Sequence, residues 1–149
     1  MTIATCLQFH LLDPIKLPLV KKLYKAHYPS AKAKADEVIW VAQHQSAIAA
    51  LLRLRRVESA QLLTGMLVPP EYRGQGVGAA LLDHCAQHHF DSQVFCFAYA
   101  HLEAYYAAHH FQRIDPETLP NGLKMAYQRY TVSGKDLIPM QFNLPITCP

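Results

Sequence analysis

The sequence predicts an α+β (α/β) fold, a central sheet with helices packed against it, and three observations carry that expectation. Strand-like and helix-like runs alternate along the chain. Three strand-like runs, residues 38–42, 47–54 and 60–68, are separated only by turn residues at His44-Gln45-Ser46 and Glu58-Ser59, the pattern of a meander. After them Pro69-Pro70 forbids further strand, a glycine-rich turn follows, and the hydrophobic period becomes helical.

The elements follow in order. Residues 3–10 read as a first strand. Pro18 is suited to open a helix whose face carries Leu19, Val20, Leu23, Tyr24 and His27, and Pro29-Ser30 stops it. Lys16, Lys21, Lys22, Lys25, Lys32 and Lys34 make this stretch the most basic in the chain, with Asp36 and Glu37 as its only carboxylates, and a solvated surface is expected there. Residues 79–89 form an amphipathic helix, with Val77, Leu81, Leu82 and Cys85 inward. Residues 94–100 are almost continuously apolar, as a central strand covered on both faces would be. A short helix over 102–110, a strand over 111–114 and a loop over 115–122 come next. A last long strand is expected over 123–132, because Leu123, Met125 and Tyr127 alternate with Lys124, Ala126 and Gln128. From Ser133 onward, Gly134, Pro139, Pro145 and Pro149 predict an irregular tail. Its Leu137, Ile138, Met140 and Phe142 would pack on the sheet or on a partner subunit, the second case giving a homodimer. With no internal repeat or linker, residues 1–149 are expected to be a single domain with its core in 1–132 and a tail over 133–149.

Composition narrows the function classes. The chain has 149 residues, 14 Lys+Arg and 11 Asp+Glu, a net charge of +3, 17% charged and 51% hydrophobic residues. That charge content is below the ~25% of ordinary soluble proteins and excludes a mainly disordered chain. No block of like charges suggests a nucleic-acid partner. No apolar run approaches the ~18 residues of a membrane span, and the first residues lack the basic start of a secretion signal, so no membrane partner and a cytoplasmic location are expected. Cys6, Cys85, Cys96 and Cys148 fall singly, as buried thiols do. His84 and His88 are four apart, and His88-His89 and His109-His110 are doublets, but none has a third ligand in register, so no metal is expected.

The informative segment is Val68-Pro69-Pro70-Glu71-Tyr72-Arg73-Gly74-Gln75-Gly76-Val77-Gly78-Ala79, between a strand and a helix. Glycines there permit positive φ and close approach of a ligand, while the first helical N–H groups carry the positive end of the helix dipole. Such a turn suits a phosphate or diphosphate. A Walker loop is excluded because no Gly-Lys-Ser/Thr follows. A dinucleotide fingerprint is matched formally by Gly74, Gly76 and Ala79, but two prolines separate strand from glycines and the next strand ends without an acidic residue for a ribose.

Arg73-x-x-Gly76-x-Gly78, preceded by Val68-x-Pro70 and followed by an amphipathic helix, resembles the acetyl-coenzyme-A signature of the GNAT superfamily of N-acetyltransferases. A second stretch, from Leu102 through Tyr105-Tyr106 to His110-Phe111, resembles the family's paired aromatics, three residues, then Gly-Phe. The likeness covers about residues 1–132. It implies a GNAT-like acyl-CoA acyltransferase fold of the three-layer type, with a mixed, mostly antiparallel sheet of about six to seven strands flanked by helices. It also implies acetyl-CoA as cosubstrate, no metal, and transfer of an acetyl group to a primary amine, small or peptide, by direct attack. His110 stands where the family has glycine, so either the turn differs or His110 takes a left-handed backbone. The family's asparagine after the central strand is absent.

The resemblance also implies site residues. Arg73, Gly74, Gln75, Gly76, Val77, Gly78 and Ala79 would hold the coenzyme diphosphate. Backbone groups of Met66, Leu67 and Val68 would pair with the pantetheine arm as an added strand does. Gly65 marks either a bulge or a plain structural glycine. Tyr106 aligns with the tyrosine that meets the leaving sulfur. For the base, His101 competes with a water chain past Tyr99 and with bulk solvent, since residues 60–68 carry no carboxylate. Acceptor contacts are expected from Tyr24, His27, Tyr28 and the neighbourhood of Tyr127 to Tyr130, whose basic and aromatic character suits an amine with an anionic or neutral group beside it. The alternative is an acyl-CoA-binding module with little catalysis, which His110 and the missing carboxylate would suit.

Overall fold

The structure, a computed structural model, describes residues 6–143. Along the chain run β1 (Leu7–Leu11), α1 (Leu17–His27), β2 (Val38–His44), β3 (Ala47–Val57), β4 (Ala60–Leu67), α2 (Val77–His88), β5 (Val94–Tyr99), α3 (Glu103–Ala107), β6 (Phe111–Arg113), α4 (Asn121–Val132) and β7 (Leu137–Phe142). The strands form one mixed sheet in the order β1-β2-β3-β4-β5-β7-β6, flanked by helices. The pairs β1/β2, β2/β3, β5/β7 and β6/β7 are antiparallel, and β4/β5 is parallel, with Gln61, Leu62 and Leu63 opposite Val94, Phe95 and Cys96.

Two compact units divide the chain. The first holds residues up to 55 together with 64–85. Its core is built where α1 lays Val20 and Tyr24 among Ile39, Val41, Leu51 and Leu67, with Leu17, Leu23 and Tyr28 beside them. Leu19 and His27, expected on that face, are exposed; the buried stripe runs through Leu17, Val20, Tyr24 and Tyr28, one turn per step. The second unit holds residues 56–63 and those from 86 onward. Ala60, Leu62, Phe95, Leu119 and Leu123 form its core, and Phe90, Phe111 and Phe142 pack edge to face with centroids 5.4–6.1 Å apart.

Two expectations are corrected. Residues 123–132 belong to helix α4, not to a strand. Leu123, Ala126, Tyr127 and Tyr130 satisfy a helical stripe as well as the alternation satisfied a strand, and Met125, inward on the strand reading, is 59% exposed. Residues 137–142, expected in an irregular tail, form β7 between β5 and β6 and bury Leu137, Ile138, Met140 and Phe142. Pro139 is tolerated there because the three-residue pairing with β6 ends at Met140, beyond which the Pro139 carbonyl accepts from the Ile114 N–H at 3.0 Å. Residues 3–5 of the expected first strand, and Pro145, Cys148 and Pro149, lie outside the described residues.

Cys85 and Cys96 are buried, and burial pushes the Cys85 thiol up to about 12 and the Cys96 thiol well above its usual range, so both stay protonated. Cys6 is exposed. Among the described residues no helix is long and apolar enough to cross a membrane, and no three His, Cys, Asp or Glu side chains are grouped as a metal set.

Candidate active site

In the first unit the glycine segment has the form the sequence predicts. Residues 70–72 make one 3-10 turn behind Pro69, Arg73 is extended, and α2 starts at Val77 with the Ala80 N–H on the Gly76 carbonyl at 3.0 Å. Gly74 and Gly76 both have φ of +76°, and a side chain at either would meet nothing within 4 Å. Their glycine character therefore answers to backbone conformation and to open space, not to internal packing. The first N–H groups of α2 have no helical acceptor of their own. The turn is tied down at its flanks. Gln75 donates to the Glu71 carbonyl at 2.9 Å, Tyr72 sits edge-on to His44 at 5.7 Å, and Arg73 donates through Nε to the Val68 carbonyl at 2.8 Å. Arg73 and Val68, expected to serve the ligand separately, are thus bonded to each other.

Upstream on β4, Gly65 has φ of +64°, an irregularity inside a strand, and the glycine is obligatory: a Cβ there would lie 2.5 Å from Arg53 Nε and 2.7 Å from both Arg53 Nη2 and Tyr24 Oη. The Tyr24 hydroxyl donates to the Gly65 carbonyl and accepts from Arg53 Nε at 3.1 Å. Through Nη1, Arg53 bonds both Glu37 carboxylate oxygens at 2.7 and 2.8 Å and the Lys32 carbonyl at 2.7 Å. Side-chain exposure is 6% for Arg53 and 2% for Glu37. The expectation of a solvated Glu37 is overturned, since Arg53 draws it inside. Tyr24, expected to touch the acceptor, is instead a buried core residue whose hydroxyl is committed to backbone and guanidinium. Desolvation, only partly offset by Arg53, pushes its phenol far above the usual range, so it stays a donor. The sequence held one signal for this cluster: Arg53 stands alone between Leu52 and Leu54 in a run buried on both faces, where a charge needs a partner.

In the second unit, Tyr106 is half-buried on the five-residue α3, edge-on to Phe111 at 5.9 Å and Tyr105 at 5.4 Å. His101, in the turn before α3, is exposed, and its ring stacks on Tyr99 at 6.0 Å. His110 has φ of +73°, the second of the two alternatives, so the reversal into β6 keeps its course without glycine. Its carbonyl accepts from the Asn143 N–H at 2.9 Å, and its ring is edge-on to Phe142 at 6.4 Å. Tyr127, on α4, donates to the Leu137 carbonyl at 2.9 Å.

A mixed sheet interrupted by a left-handed glycine in β4, followed by a glycine turn that opens α2, defines an acyl-coenzyme-A transferase type of fold. The chain belongs to the acetyltransferase (GNAT) domain family, whose model matches residues 18–132. Comparison with curated protein sequences gave no match. Solved structures resemble it closely in fold. N-acetylglutamate synthase from Neisseria gonorrhoeae, complexed with coenzyme A and N-acetyl-glutamate, superposes with a TM-score of 0.73 at 15% identity over 94% of this chain and 35% of that one. The chain therefore spans about a third of that enzyme. The Escherichia coli N-acetyltransferase acting on a ribosomal-protein alanine gives 0.64 at 16% identity, covering 95% and 96%. Spermidine/spermine N-acetyltransferase from Vibrio cholerae, in complex with manganese ions, gives 0.63 at 15% identity and 94% of both chains.

Proposed function

We propose that the chain transfers an acetyl group from acetyl-CoA to a primary amine by direct attack within a ternary complex. The observation that carries this reading is the pair of left-handed glycines, Gly74 and Gly76, with open space over both, ahead of a twelve-residue helix. A diphosphate placed on the N–H groups of residues 74–79 satisfies orphan donors and the helix dipole together. Met66, Leu67 and Val68 then offer backbone groups to the pantetheine arm.

In the reaction the neutral amine nitrogen attacks the thioester carbonyl, the N–C bond forms and the C–S bond breaks. The nitrogen gives up one proton to a base or water, and the sulfur leaves as a thiolate that takes one proton from water to become free coenzyme A. Tyr106 is the proposed donor to that sulfur. A phenol is about 1.5 pKa units less acidic than a thiol, so full transfer is uphill by ~2 kcal/mol and the expected contribution is a strong hydrogen bond to the developing thiolate. Tyr106→Phe should lower turnover at least tenfold with coenzyme A affinity nearly constant, since the hydroxyl acts only as charge develops; steady-state rates of thiol release and a binding isotherm check both halves. His101, exposed and next in chain to the central strand, is the side-chain candidate for taking the amine proton.

The acceptor is proposed to be a small amine bearing an anionic group, such as an amino acid. Exposed Lys21, Lys22 and Lys25 on α1 and the withdrawal of Glu37 into the core support it, as does the N-acetyl-glutamate bound by the Neisseria enzyme. Trp40, half-buried with its ring 6.3 Å from that of His84 on α2, is the single tryptophan and provides the assay. Its fluorescence is titrated with coenzyme A, and thiol release is then followed over a panel of amino acids, polyamines and peptide amines. Saturable coenzyme A binding without thiol release from any amine would leave a binding module instead.

A further inference from the structure

The buried group of Tyr24, Arg53 and Glu37 does nothing in the mechanism above, yet it closes on the one residue of β4 that departs from strand geometry. We propose that these three are positioning residues for the coenzyme arm: a polar clamp that locks the Gly65 peptide and so presents the following backbone, Met66 to Val68, to pantetheine. The proposal rests on the reading of this chain as a coenzyme A enzyme and goes beyond it by giving the clamp a task.

A positive φ in a strand turns the next peptide away from the direction a regular ladder would give it, and nothing in glycine itself maintains that choice. Here the Gly65 carbonyl is taken by the Tyr24 hydroxyl, and the Arg53 guanidinium fills the space over its Cα. Arg53 is in turn held by both Glu37 oxygens and by the Lys32 carbonyl, bonds that anchor the guanidinium over the glycine. Downstream, the Val68 carbonyl is bonded by Arg73. The stretch between is thereby pinned at both ends by side chains, with half-buried Met66 inside it. Stability alone does not account for such a cluster. Apolar groups of the same volume are often nearly as stable in a core as a buried ion pair, whereas the pair with its hydrogen bonds fixes direction. Desolvation keeps the Tyr24 phenol protonated, and hence a donor, across the working pH range.

Tyr24→Phe is the test, because it keeps the ring beneath the Arg53 guanidinium, 5.0 Å from its centroid, and deletes only the hydroxyl. Two ligands separate positioning from general loosening: coenzyme A, and ADP, which has the diphosphate and lacks the arm, measured by competition with coenzyme A. The expected result is about a tenfold loss of coenzyme A affinity with ADP affinity unchanged, and a melting temperature lowered by several degrees because the Gly65 carbonyl and Arg53 Nε each lose a partner. Equal losses for both ligands, or no loss for either, overturn the proposal. If Tyr24→Phe does not fold, Arg53→Lys, which keeps the charge and loses the fork, is put to the same pair of ligands with the same expectation. A parent chain that binds neither ligand overturns the functional reading itself, an outcome distinct from a parent that binds both and a variant that behaves like it.

Discussion

Glu37→Ala should lower the stability of the protein by about 3–5 kcal/mol, the range for removing one partner of a buried ion pair. For a chain of this length that is a fall of about 6–20 °C in Tm, readable by calorimetry or circular dichroism. The cost arises from what remains. With the carboxylate gone, Arg53 is a charge 95% removed from water, and its Nη1 keeps only the Lys32 carbonyl of the three oxygens it now bonds. The Lys34 N–H, which donates to the same carboxylate at 2.6 Å, loses its acceptor too. Replacing both partners by apolar residues, Glu37→Leu with Arg53→Met, removes the stranded charge and should recover most of the loss. A single-variant effect below about 1 kcal/mol would class the pair with exposed salt bridges and contradict its burial.

The second large effect is expected on binding rather than folding. Gly76→Asp should weaken coenzyme A by about a hundredfold or more while Tm changes little. Aspartate is among the residues that accept a left-handed backbone, and no atom lies within 4 Å of where its Cβ would be built. Its carboxylate would then stand among the N–H groups proposed for the diphosphate. At about 5 Å and an effective dielectric near 20, one like-charge contact costs about 3 kcal/mol, which is more than two decades of affinity. Gly76→Asn separates the contributions: it brings the same left-handed backbone and bulk without the charge, and its smaller loss would give the electrostatic share by difference. Unchanged affinity in Gly76→Asp would remove the turn from the coenzyme site.

The same physics explains which parts of the molecule could be read from the chain. The meander, the switch at Pro69-Pro70 and the apolar run of β5 were legible because each depends on local signals, a turn residue or a single period. Residues 123–132 were not, because Leu123 and Tyr127 are four apart and lie inward under either period; Pro120 ahead of Asn121 was the missed signal of a helix start. β7 was hidden by Pro139, whose tolerance depends on where a three-residue neighbour stops, a fact of register that no window of sequence contains. The candidate site divides the same way. Its glycine turn is contiguous and was legible. The polar cluster joins α1, the segment after it, β3 and β4, so no local signal at Glu37 or Tyr24 marks either as a partner of buried Arg53. The left-handed backbone of His110 could be posed as an alternative but not chosen, since the bond from Asn143 that accompanies it lies 33 residues on.

The position of β7 bears on the order in which the chain can be made. It is translated last among the described strands, yet it lies between β5 and β6, and β6 pairs with no other strand. As the polypeptide leaves the ribosome, the helix that carries Tyr106 therefore emerges tethered at one end only, its far flank waiting for residues 137–142 to supply a ladder. Assembly of the glycine turn draws on residues already synthesised by position 85. A nascent chain would thus possess the glycine turn well before Tyr106 is seated and, on the function proposed above, could engage coenzyme A before it could turn it over.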